Sequence, residues 1–166
     1  MKNKRLFLEG DMKIGKSTII MQNIKSKFHN NQVCGFMCQR LVHNEETIAF
    51  CLTAIDKVES AINISSKKLL VLDEIGGFEL LAKQFRAKLY EVLSQDIPII
   101  GVIKSNKNKS IMKKAVKIND EYIDLYQKLY SDIENVFNGT ILPSHKNNMM
   151  YVNNKVNTFF EEVLEN

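Results

Sequence analysis

The spacing of hydrophobic positions changes several times along the 166 residues, and each change marks an element. The short apolar run RLFLE at 5–9 reads as a strand, and a polar loop with two glycines follows it. In STIIMQNIKSKF, Ile20, Ile24, Lys27 and Phe28 recur near one face, which predicts a helix from Ser17 to His29 that Asn30 and Asn31 close. VCGFMCQR (33–40) alternates, with Cys34, Phe36 and Cys38 on the side opposite Val33, Gly35 and Met37. Its mixed character suits a strand packed on both faces. TIAFCLT (47–53) predicts a further strand and DKVESAIN (56–63) a short helix.

The run LLVL (69–72) is wholly apolar and ends in Asp73 and Glu74, as a buried parallel strand does when it delivers carboxylates to its C-terminal edge. Leu81, Phe85, Leu89, Val92 and Leu93 predict an amphipathic helix from Phe78 to Ser94, and IPIIGVI (97–103) another buried strand. Tyr122, Tyr126, Leu129, Ile133 and Val136 keep helical spacing within a helix expected over 111–137. MMYV (149–152) reads as one more strand and 154–165 as a closing helix. The order βαβ(β)βαβ calls for a parallel sheet with right-handed crossovers. With no internal repeat or linker in view, residues 1–166 are expected to form one domain.

The first loop carries the most specific chemistry. GDMKIGKST (10–18) fits Gly-x4-Gly-Lys-Ser/Thr, with Gly10, Gly15, Lys16 and Ser17 at the specified positions, and it lies between a strand and a helix as that motif requires. A polyphosphate needs donors brought close by backbone without side chains in the way, which glycines permit. The amides of Asp11, Met12, Lys13, Ile14, Gly15, Lys16, Ser17 and Thr18 would face the phosphates, aided by the helix N-terminus. Lys16 would reach the β- and γ-phosphates and Ser17 would hold Mg²⁺. Beside that loop, Asp73 would contact Mg²⁺ and Glu74 would orient or deprotonate a water.

Composition adds limits. A hydrophobic content of 45% with 25% charged residues is ordinary for a soluble protein, and the net charge of +4 tolerates an anionic ligand without demanding nucleic acid. Three cysteines, an odd number, and no secretory signal point to a reducing cytoplasm; Cys34 and Cys38 read as small apolar side chains rather than metal ligands. No apolar run reaches the ~18 residues of a membrane span. Six lysines between 104 and 117, with no aromatic platform among them, read as a solvated face.

Residues 5–104 resemble the small P-loop nucleoside-triphosphatase family that includes the cancer-related nucleoside triphosphatase and its bacterial and archaeal relatives. The resemblance rests on GDMKIGKST, the CGF of the second strand and DEIGGFEL, which extends to Gly76 and Glu79. It implies a RecA-like three-layer α/β/α sandwich with a mostly parallel sheet, Mg²⁺ as cofactor, and hydrolysis of ATP, GTP or another NTP to diphosphate and phosphate. Carried over by position, Lys16 and Ser17 serve phosphate and metal, Asp73 the metal and Glu74 the water, while Arg40 falls where the family often has a basic residue. The chain departs from the family in the hairpin HNEETIAFCL and beyond residue 105.

Two other classes use the same loop: a kinase for a nucleoside or small metabolite, and a nucleotide-dependent switch working with a partner or nucleic acid. Base preference, oligomeric state and the source of any arginine finger are not encoded in these motifs.

Overall fold

A computed structural model describes residues 4–43, 46–55, 66–105 and 120–165. Its strands are β1 (Arg5–Gly10), β2 (Val33–His43), β3 (Glu46–Ala54), β4 (Leu69–Ile75), β5 (Ile99–Ile103) and β6 (Thr140–Ser144). The helices are α1 (Lys16–Lys27), α2 (Lys83–Leu93), α3 (Asp120–Asn135) and α4 (Met149–Glu165). The strands form one sheet in the order β3-β2-β4-β5-β1-β6. Among the described residues only the β2–β3 hairpin is antiparallel; the other pairs are parallel.

Alternation along the strands builds two cores. Phe7, Leu70, Leu72, Ile99 and Ile103 face one layer with Leu89, Leu93, Tyr122, Tyr126, Leu129 and Ile133 from α2 and α3. Leu6, Leu8, Leu69, Val71, Ile100 and Val102 face the other, against Ile20 and Ile24 of α1 and Val152, Val156, Phe159, Phe160 and Val163 of α4. The result is the expected three-layer α/β/α sandwich. Because β4 and β5 bury side chains on both faces, their sequences lack a polar side. β5 lies between β1 and β4, so the phosphate loop and the Asp73-Glu74 pair rise from strands that are not neighbours.

Three expectations are corrected. MMYV is not a strand but the first turn of α4, because a short apolar run has no period of its own and Val152 continues into the helical stripe of Val156, Phe159 and Val163. The sixth strand is TILPS, at the sheet edge, where Pro143 removes no ladder donor that the sheet needs. The Phe78–Ser94 helix is two pieces: a 3-10 turn at Phe78–Leu81, then α2 from Lys83. The bend at Ala82, in extended backbone, leaves Leu81 exposed while Leu89 and Leu93 stay buried. The expected helix at 56–63 and the lysines from 107 to 117 lie outside the described residues.

Phe160 is fully buried and meets Phe28 edge-on at 5.2 Å, whereas Val136 is 62% exposed. Phe160→Ala is expected to lower unfolding free energy by about 3–5 kcal/mol, and Val136→Ala by under about 0.5 kcal/mol, in urea titration.

Candidate active site

The loop between β1 and α1 is shaped by close approach to the sheet. A Cβ on Gly10 would collide with the Ser144 carbonyl oxygen of the adjacent β6, so glycine is required there. Gly15 caps α1 in the left-handed region (φ 102°). Among the described residues no side chain caps this helix, its first turn carries no acidic residue, and Lys25 and Lys27 sit in its last turn. The N-terminal amides therefore keep their hydrogen-bonding capacity and their partial positive charge for an anion. Asp11, Met12 and Lys13 are exposed at the loop's tip, which keeps the Asp11 side chain out of the interior.

Lys16 is 8% exposed and folds back over the loop, its Nζ donating to the Gly10 carbonyl at 2.9 Å and the Asp11 carbonyl at 2.7 Å. Burial lowers its pKa, and the nearby carboxylates of Glu74, Asp73, Asp11 and Glu9 oppose that shift. A buried ammonium with carbonyl partners and acidic neighbours is held as a charge ready for a stronger anion.

Across the strand ends, Asp73 is 3% exposed and hydrogen-bonds with Ser17. Burial raises its pKa; the Ser17 bond and Lys16 oppose this. The β4–β5 ladder pairs Asp73 with Val102 and then Ile75 with Ile103, passing over Glu74. Strict alternation would put Ile75 on the same face as Asp73; the extra residue turns Ile75 into the α2–α3 core and frees Glu74 from the pleat. Glu74 thereby joins Met12 through Thr18, Cys38 and Val102 around one cleft of ≈ 200 Å³. Burial raises its pKa, opposed first by Lys104 and then by Lys16.

The site residues read from the sequence thus meet in one place: the loop 10–18, Asp73 and Glu74. Arg40 stands on β2, and its side chain lies outside the described ones. Arg5 is committed at the far end of β1, donating to the carbonyls of Leu93, Phe137 and Gln95, and Arg86 donates to the Leu80 carbonyl. Neither faces the cleft.

Cys34 is a core residue as expected, but Cys38 lines the cleft. Burial and the Glu74 carboxylate push its thiol up. Period-2 alternation places Cys34 and Cys38 on one side, and the sequence does not show that the sheet edge lies between them. Among the described residues no cluster of three or more His, Cys, Asp or Glu could hold a metal. No described helix is long and apolar enough to cross a membrane.

Residues 53–128 match the profile of a family described as NTPase. No curated protein matches the chain. The crystal structure of THEP1 from the hyperthermophile Aquifex aeolicus is similar in fold, with a TM-score of 0.51 and 10% sequence identity over 92% of this chain and 96% of that one. The profile covers β4, α2 and β5 but not the loop 10–18, so the phosphate-binding motif is a separate line of support. Over residues 53–128 the chain is thus similar to the NTPase family, and in fold it is similar to THEP1.

Proposed function

We propose that the protein is a Mg²⁺-dependent nucleoside triphosphatase that converts NTP and water to NDP and phosphate. The observation that carries this reading is that Lys16 and Ser17, at the start of α1, and Glu74, at the end of β4, line one cleft, with Asp73 bonded to Ser17 beside it. The open amides from Asp11 to Thr18 wrap the phosphates. Lys16 exchanges its two carbonyl partners for phosphate oxygens, a stronger charge-assisted bond.

The Ser17 hydroxyl and the Asp73 carboxylate fit Mg²⁺, since they are hard oxygen donors already in contact and too few to form a cage without substrate oxygens. When bound there, the ion would neutralise developing charge on the phosphate oxygens. Glu74, freed from the ladder and half-buried, accepts the proton of the attacking water; a carboxylate with a raised pKa is a better proton acceptor than an exposed one. Water attacks phosphorus, and the bond to the bridging oxygen of the diphosphate breaks. Among the described side chains no arginine faces the cleft, so slow turnover by the isolated chain is consistent with this mechanism.

Phosphate release from several NTPs with Mg²⁺ tests the proposal. Glu74→Gln is expected to lower kcat about 10²–10⁴-fold while nucleotide still binds. Lys16→Ala is expected to lower it at least ~10²-fold and to weaken binding. Release that needs an added nucleoside would instead indicate a kinase. Cys38 supplies an independent reading of occupancy: iodoacetamide is expected to label it more slowly than exposed Cys51, and Mg²⁺-nucleotide to slow Cys38 further without affecting Cys51. Equal labelling of Cys38 with and without nucleotide would place the ligand elsewhere.

A further inference from the structure

Helix α3 runs across the C-terminal ends of the three central strands in their sheet order. Tyr122 donates to the Gly76 carbonyl just past β4 at 2.8 Å, Tyr126 to the Lys104 carbonyl just past β5 at 2.5 Å, and Tyr130 to the Glu9 carboxylate near the end of β1 at 3.1 Å. The spacing is geometric: every fourth helical residue advances about 6 Å, and neighbouring strands lie about 4.8 Å apart, so an obliquely crossing helix presents one hydroxyl per strand. Gly76 makes room for this. Its φ is +90°, and a Cβ there would press within 3.2 Å of the Tyr126 ring and 3.3 Å of Ile103.

What the three strands carry gives the arrangement its meaning. β1 leads into the phosphate loop, β4 delivers Asp73 and Glu74, and β5 separates them. Beyond Ile75 the ladder has, among the described residues, one further bond, from the Lys104 amide to the Ile75 carbonyl at 2.9 Å. From that point the tyrosine hydroxyls tie each strand end to a common helix.

We infer that Tyr122, Tyr126 and Tyr130 are positioning residues, a hydroxyl ladder that fixes the distance between the phosphate loop and Glu74. This rests on the hydrolytic reading above. Phosphate binding uses the loop, α1 and, through Mg²⁺, Asp73, which regular strand pairing with Met37 and Val102 still holds, so nucleotide affinity does not depend on the hydroxyls beyond Ile75. Proton transfer from water depends on where Glu74 sits relative to the bound γ-phosphate, and that is set by β4 against β1. Loss of the hydroxyls therefore reduces kcat and spares binding.

The test compares Tyr122→Phe/Tyr126→Phe with Tyr90→Phe. Tyr90 also donates a hydroxyl, to Asp132 at 2.6 Å, but not at a strand end. The double variant is expected to lose about tenfold in kcat with nucleotide affinity and KM within about twofold, whereas Tyr90→Phe keeps full kcat. Hydrogen exchange on the nucleotide-free protein gives a readout that does not require turnover: amides at 75–77 and 104 are expected to exchange faster in the double variant while α3 stays protected. Unchanged exchange at those amides overturns the ladder. So does a double variant whose kcat matches Tyr90→Phe, or whose kcat and affinity fall together. A wild type that binds nucleotide but releases no phosphate overturns the hydrolytic reading instead, and the exchange result then decides the ladder alone.

Discussion

Two opposite charges buried at the carboxyl edge of the sheet, on Lys16 and Asp73, set the terms for the rest of the molecule. An ion withdrawn from water is costly unless its partners are close and well placed. Lys16 meets that cost through two loop carbonyls and the acidic side chains around it, Asp73 through Ser17 and Lys16. Both solutions need the loop, the start of α1 and the end of β4 to be fixed together. The apolar layers on the two sheet faces supply that rigidity, since burial of their side chains is the main favourable term in folding.

The site divides into two halves with separate supports. The phosphate-binding half is local: β1, a glycine-bounded loop and an uncapped helix N-terminus follow one another in sequence. The half that acts on water is assembled at a distance. Glu74 reaches the cleft because the β4–β5 ladder passes over it, and the strand ends beyond that irregularity are tied to α3. Binding can thus persist where hydrolysis fails, a separation built into the order of the strands.

Legibility followed the same division. GDMKIGKST was readable because its chemistry lies in consecutive residues and its glycines answer local needs of the backbone. The buried strands at 69–75 and 99–103 were readable because burial on both faces leaves a continuous apolar run. MMYV misled because four apolar residues carry no period, and TILPS passed unnoticed because an edge strand with proline lacks the pattern of a central one. Tyr122 and Tyr126 were visible as a helical stripe, but their hydroxyl partners lie 46 and 22 residues away, and no local spacing encodes such pairs.

The sequence by itself determined the buried central strands, most of the helices and the phosphate-binding loop, because these depend on side-chain period and on backbone freedom within a few residues. Only the tertiary structure decided that β5 separates the two motifs, that Glu74 leaves the pleat, that Cys38 lines the cleft while Cys34 is core, and that α3 spans the strand ends. Those features depend on which strands become neighbours and where their pairing stops, and that is settled by packing between segments far apart in the chain.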